Sequence, residues 1–415
     1  MRAGRNDFLS CRCDLSRRLH PARHGPSGVT GTVSIARIQA FAFRSPIAIP
    51  VETSFGIMRN RPATFVRIED QDGAFGWGEV FCNWPAAAAE HRVNLLAQDI
   101  APLVFGLPFS RPDELFEFLT ARTHILALQS GEWGPFRQVI AGLDIALWDL
   151  FARKNGQTLR HFMNPDAADA VPAYASGIHI KDASTLIQSA RDIGFEAFKI
   201  KVGFDRQDDL KRMNEVFEAK SATETIAADA NQGWDRTAAL DFMEQARSLP
   251  LVWLEEPIQA DAAQADWEAL AQASPFPLAG GENLVGVVEF DAAISAAHLS
   301  VFQPDIIKWG GLTGCLGVAR SAIAAGLRYC PHFLGGGIGL QASANLLAAV
   351  GGDGLLEVDV NPNPLRDGFS PIGTSISVGQ WHLNDEPGIG ISALPEMFDA
   401  FLSHSTEILT SGSRS

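Results

Sequence analysis

Apolar and polar positions alternate over Ser34–Arg44, Thr64–Asp70 and Phe75–Val80, as they do in half-buried strands. Gln71, Asp72 and Gly73 supply a tight turn between the last two. The period then changes. Over Phe136–Asn155, Val139, Leu143, Ala146 and Leu150 recur at helical spacing, and Gly156 can end the helix. Residues 33–165 therefore read as an α+β domain with a three-stranded sheet and a helical bundle. From Val171 short apolar strands alternate with amphipathic helices. Strands are expected at Ala197–Val202, Thr225–Ala228, Leu251–Leu254, Pro277–Gly280, Val301–Gln303, Leu327–Cys330 and Leu355–Leu356. Helices are expected at Asp208–Ala219, after the capping Asp235, and at Thr313–Ala325, which stops at Gly326. Strand–helix alternation on this scale predicts a parallel β/α barrel over 166–360. The segment 361–415, broken by Pro362, Pro364, Pro371 and Pro387, loses the rhythm and is expected to pack on the first domain and close the barrel mouth.

Composition narrows the class. The chain has 415 residues, a net charge of −15 and a pI of about 5.1. The acidic balance speaks against nucleic-acid and membrane-surface binding, and no apolar run is long enough for a membrane span. Cys11, Cys13, Cys82, Cys315 and Cys330 match no zinc spacing and read as reduced cytoplasmic thiols. Residues 1–32 carry six arginines and no apolar stretch, so they read as a disordered extension rather than a secretory signal.

The chemistry sits at the strand ends. Lys201, Asp229, Glu255, Glu282, Asp305, His332 and Glu357 follow one another at intervals of 28, 26, 27, 23, 27 and 25 residues. Each interval is one strand–helix unit, and in a barrel all such ends open on one face. Taken singly, each residue could be a solvated surface charge. Taken together, they would be costly to gather without a metal. Asp229, Glu255 and Glu282 form three neighbouring carboxylates of the kind that suit Mg²⁺. Lys201 flanks them on one side. His332, oriented by Asp305, flanks them on the other.

At this point the chain resembles the enolase superfamily, mandelate racemase subgroup. The matching segments are FKIKV at 198–202, DANQ at 229–232, LEEP at 254–257, GGEN at 280–283, PDIIKWGG at 304–311 and PHF at 331–333. AGLDIALWDL at 141–150 is also similar, and the likeness spans about 33–400. The resemblance implies an α/β fold: a (β/α)7β-type modified TIM barrel with an α+β N-terminal capping domain, completed by the C-terminal tail. It implies a homo-oligomer acting on a small carboxylate substrate. It implies that Asp229, Glu255 and Glu282 bind Mg²⁺, that Lys201 and His332 exchange protons, and that Asp305 holds His332. Glu357 would donate a hydrogen bond near the substrate carboxylate, with Asp359 as its competitor. Lys199 would lower the proton affinity of Lys201, and Asn231 would touch substrate or the metal shell.

The implied chemistry is abstraction of the proton α to a carboxylate through an enediolate. Dehydration of an aldonate or aldarate by a Mg²⁺-dependent lyase is favoured. Racemisation or epimerisation of a 2-hydroxy or amino acid is the alternative, and a non-catalytic barrel the third. A cycloisomerase ranks lower, since those relatives resemble enzymes with a second lysine where Asp305 stands. Specificity is expected from a mobile loop at Ser45–Arg61 containing Phe55, and from FCNW at 81–84, which ends in Trp84. Ser176 is expected to line the pocket, and His179 to line it or serve structure. The run GGGIG at 335–339 could receive an anion or make room for substrate.

Overall fold

The computed structural model describes residues 31–53 and 56–410. The N-terminal extension, with Cys11 and Cys13, falls almost wholly outside them, as does Phe55. The capping domain is built on β1 (Val33–Thr53), β2 (Gly56–Asp70) and β3 (Phe75–Val80) in an antiparallel meander. Of two long helices, α1 (Asp113–Ser130) and α2 (Trp133–Lys154), α2 packs on this sheet and α1 packs on α2. Glycines at 76 and 78 let the sheet and α2 meet backbone to backbone. A Cβ at Gly78 would fall 1.9 Å from the Gly142 carbonyl oxygen, and one at Gly76 2.0 Å from that of Ala146.

The stretch expected to be a mobile loop is paired as a hairpin ladder. The β1–β2 ladder runs on through Ser45↔Arg61 and, after a register shift, through Val51↔Met58 to Thr53↔Gly56. Its base is anchored. Arg61 Nη2 donates to Asp359 Oδ2 at 2.7 Å with both side chains buried. Burial would push the Asp359 carboxyl up, but Arg61 and Arg366 outweigh it and hold it below the usual range.

The barrel strands are β4 (Ala170–His179), β5 (Ala197–Lys201), β6 (Thr225–Asp229), β7 (Leu254–Glu255), β8 (Leu278–Gly280), β9 (Val301–Phe302), β10 (Arg328–Tyr329) and β11 (Leu356–Asp359). Seven helices separate them: α3 (Ala183–Asp192), α4 (Arg206–Ala219), α5 (Arg236–Gln245), α6 (Gln264–Ala273), α7 (Val287–Ala296), α8 (Gly311–Ala324) and α9 (Gly337–Val350). β4 to β10 pair in parallel in chain order, and β11 returns to pair with β4. This is the expected (β/α)7β order. Asp235 caps α5 by accepting from the Ala238 amide. Several strands are shorter or shifted by a few residues. The fourth is Leu254–Glu255 rather than Leu251–Leu254, so Glu255 lies in the strand rather than after it.

The tail only partly follows expectation. Its strand β12 (Leu402–Leu409) pairs antiparallel with β1 and extends the capping sheet. Residues 380–382 pair with 170–172 at the opposite end of β4 from the mouth. The segment from Pro362 to Phe369 reaches the mouth side, where the Pro362 carbonyl accepts from Arg61 and Phe369 lies against Gly337. No helix among the described residues is long and apolar enough to cross a membrane.

Candidate active site

Two layers fill the barrel interior, and strand periodicity separates them. The lower layer is apolar: Tyr174, Ala197, Ala227, Trp253, Ala279, Val301 and Cys330 cluster, with Leu355 packed against them. Two residues further along each chain segment stand Ser176, Lys199, Asp229, Glu255, Gly281, Gln303, His332 and Glu357. Alternate residues of a strand share a face, so the polar layer sits directly on the apolar plug. At the fifth strand the position falls to Gly281, whose φ of 131° and tight approach to Gln303 suit only glycine. Glu282 follows it.

Lys199 is at the centre. Its Nζ lies 2.6 Å from Glu255, 2.8 Å from Glu357 and 3.9 Å from Asp229. Burial alone would depress its proton affinity, but Glu255 and Glu357 raise it well above the ordinary value. Glu255 also accepts from Gln303 Nε2 at 2.5 Å and from the Trp253 indole at 3.2 Å. Glu357 accepts from Lys199 and from the Phe333 amide. Ser176, in the same layer, bonds to Glu357. Burial works against ionisation of Glu357, yet Lys199 and His332 hold its carboxyl below the usual range. In this geometry Glu357 is an acceptor, not the expected donor.

Lys201 Nζ donates to Asn231 Oδ1 at 2.6 Å and lies 3.7 Å from Asp229. Asn231 in turn donates to Asp229 through Nδ2 at 2.9 Å. Asn231, Gln232 and Glu256 all hold positive φ, from 37° to 61°, at this rim. Strain of this kind in non-glycine residues gathers at functional sites. Across the mouth, His332 Nδ1 lies 2.8 Å from Asp305 Oδ2 and its Nε2 2.5 Å from Glu282 Oε2. The expected Asp–His pair is therefore formed.

Other residues escaped the sequence reading. Glu256 is buried beside Glu282 and bonded by Asn283, and burial pushes its carboxyl up to about 8. Lys308 donates to Asn283 Oδ1 at 2.8 Å, lies 3.7 Å from Glu282 and stacks over the Phe81 ring. The glycine run at 335–339 is met by an anion of the chain itself. Glu79 accepts from the Gly336 and Gly339 amides at 2.5 and 2.7 Å, at the N-terminus of α9. His179 accepts from the Lys181 amide and stacks on Phe204 at the rim. Trp84 meets the tip of the hairpin: a Cβ at Gly56 would fall 2.8 Å from its ring.

Among the described residues, no three His, Cys, Asp or Glu side chains stand as a ready metal cage. The physical reason is visible. Glu255 is turned to Lys199, and Glu282 to His332. The donor set nevertheless fits a hard cation. Six carboxyl groups (Asp229, Glu255, Glu256, Glu282, Asp305 and Glu357) face three lysines and His332. Buried negative charge in excess of its partners is costly, and a divalent oxygen-seeking ion relieves it.

Comparison with known proteins agrees with this architecture. Residues 36–163 match the mandelate racemase / muconate lactonizing enzyme N-terminal domain, and residues 182–397 the enolase C-terminal domain-like family. A solved mandelate racemase/muconate lactonizing enzyme from Bordetella bronchiseptica RB50 is 47% identical, with a TM-score of 0.84, over 89% of this chain and 99% of that one. D-galactarolactone cycloisomerase of Agrobacterium fabrum is 27% identical over 86% of this chain and 96% of its own length. L-talarate dehydratase of Polaromonas sp. JS666, solved with Mg and L-glucarate, is 25% identical with a TM-score of 0.76, over 91% and 99%. Cap, barrel, strand-end residues and both domain matches agree: this chain belongs to the mandelate racemase / muconate lactonizing enzyme family of the enolase superfamily.

Proposed function

We propose that this protein removes the proton α to the carboxylate of a sugar acid and expels the β-hydroxyl, giving a 2-keto-3-deoxy acid. The observation that carries the reading is the placement of two proton-transfer groups around one carboxylate cluster. Lys201 comes from the second strand, and His332, oriented by Asp305, from the seventh. Asp229, Glu255 and Glu282 are the residues that would hold Mg²⁺. Bound there, the ion supplies a Lewis acid that lowers the cost of negative charge on the substrate carboxylate.

Lys201 takes the α-proton on its face, and Asn231 orients its amine. Lys199, fixed as a cation by two carboxylates, keeps positive potential under the place where charge develops. His332 gives a proton from Nε2 to the departing hydroxyl, which leaves as water. The enol then becomes the ketone. Asp305 keeps Nδ1 protonated and the ring aimed into the mouth. Gly56 and Trp84, which meet each other, would wall the substrate side.

Cycloisomerisation is a second reading. Asp305, where a second lysine would stand, speaks against it, but a lactone cycloisomerase aligns with 86% of the chain. It begins with the same proton abstraction and differs in the oxygen that departs, which belongs to a ring of the substrate. Mass spectrometry separates the two. A panel of aldonates, aldarates and their lactones is incubated with Mg²⁺, beside an Asp229→Asn control. Loss of one water, absent in the control, supports dehydration. A product of unchanged mass and new retention time supports isomerisation. Identical traces with the enzyme and the control would overturn both.

A further inference from the structure

The Asp305–His332 pair is held from the capping domain. Four residues bond to the loops that carry it, and three of them, Glu79, Phe81 and Asn83, lie within 79–83. Glu79 takes the Gly336 and Gly339 amides, four and seven residues beyond His332. Asn83 Nδ2 donates to the Leu334 carbonyl at 2.6 Å. The Phe81 amide donates to the Ile307 carbonyl at 3.2 Å, and the Ile307 amide itself donates to Asp305 at 2.9 Å. From the tail, Asn363 Nδ2 donates to the Gly335 carbonyl at 2.8 Å.

The fit leaves little slack. A Cβ at Gly335 would come 2.7 Å from Glu79 Oε1, and one at Gly336 2.7 Å from the Phe65 ring. Glu79 is 1% exposed, and burial pushes its carboxyl up to about 7 against the pull of the two amides. A buried carboxyl with no catalytic contact needs another reason to be there.

We infer that residues 79–83, anchored by Glu79, form a positioning clamp through which the capping domain sets the His332 imidazole on Asp305. Closing the cap and aiming the acid are then one event. Glu79 touches no reacting atom; it acts through the loop. The catalytic consequence rests on the role proposed above for His332, but the clamp itself does not.

The test is Glu79→Gln, which keeps volume and removes one acceptor. The first readout is the proton on His332 Nδ1, followed in ¹⁵N-labelled protein and assigned with His332→Asn. Asp149→Asn is the control. Asp149 is equally buried and accepts from the Trp77 and Ile389 amides and from Arg153, none of them on this loop. The expected result is a shifted or broadened His332 signal in Glu79→Gln and an unmoved one in Asp149→Asn. With a substrate in hand, kcat should fall about 10- to 100-fold and KM stay within about threefold. Should Glu79→Gln fail to fold, Asn83→Ala is read in the same way, with a smaller change in the same direction. An unmoved His332 signal in a folded clamp variant overturns the clamp, as does an equal change in Asp149→Asn. Lack of turnover by the wild type would instead count against the proposed reaction, while the signal still decides the clamp.

Discussion

Lys199 Nζ stands 2.6 Å from Glu255 Oε1, deep in the barrel, with both side chains nearly sealed from solvent. The ammonium also satisfies Glu357 at 2.8 Å. Removing one partner of a buried ionic group leaves the rest uncompensated. Lys199→Met should therefore cost about 3–5 kcal/mol of stability in metal-free buffer. Denaturant unfolding of the variant beside the wild type in the same metal-free buffer checks this. A loss below about 1 kcal/mol would show that the cluster does not depend on this cation.

The surplus of carboxyl groups makes a second expectation. A divalent ion that binds the folded site stabilises it by about 2.7 kcal/mol at a hundredfold excess over its Kd. Mg²⁺ should raise the melting temperature of the wild type and leave Asp229→Asn and Glu282→Gln nearly unmoved. Chelator should reverse the gain. Equal shifts in all three proteins would mean that the ion acts elsewhere.

Much of this site was legible in the chain, for a physical reason. One strand–helix unit takes about as many residues each time, so strand-end groups such as Asp229, Glu255 and His332 recur at near-constant intervals. What the interval does not encode is orientation. Glu357 was found, but its acceptor role depends on Lys199 rising from β5 beneath it. Glu79 and Lys308 were missed because their partners are remote in sequence or lie off the strand-end period. Gly336 is 257 residues from Glu79, and nothing in FGWGEV marks which residue crosses the domain interface. The glycine run points to an anion or to room for substrate, and nothing local in it shows that the anion is the chain's own Glu79. The ladder over 45–61 is hard to read from the chain because Pro46 and Pro50 interrupt its alternation. A register shift between Pro46 and Val51 absorbs that interruption. A useful signal did go unread: the small or apolar residues two places before Lys199, Asp229, Glu255 and His332 mark the inner face of each strand.

Lys201 and His332 should separate kinetically. Each general acid or base contributes about 10²- to 10⁴-fold, so Lys201→Met and His332→Asn should each lose turnover on that scale. They differ in what survives. If Lys201 takes the α-proton, His332→Asn still exchanges it with solvent deuterium while product formation stops. Lys201→Met loses both. NMR of recovered substrate in D₂O checks this. Exchange surviving in Lys201→Met and lost in His332→Asn would reverse the assignment of base and acid.

Asp144 predicts how stability responds to pH. It projects from α2 onto the N-terminus of α8, where it accepts from the Thr313 amide at 2.9 Å and the Thr313 hydroxyl at 2.5 Å. Burial outweighs those bonds and pushes its carboxyl up to about 8 from an ordinary 3.8. The unfolded chain thus loses this proton near pH 4 and the folded chain near pH 8. Between those values folding takes up a proton, so the contribution is whole below about pH 4 and is lost as pH rises through about 8. Glu79, raised to about 7, acts in the same direction. The melting temperature should fall from about pH 5 to about pH 8. Asp144→Asn keeps an acceptor for Thr313 and has no proton to lose. Its pH profile should be shallower, and at pH 8 it should melt above the wild type. A profile as steep as the wild type's, or a lower melting point at pH 8, would show that Asp144 sits ionised on the helix and stabilises it as a charge.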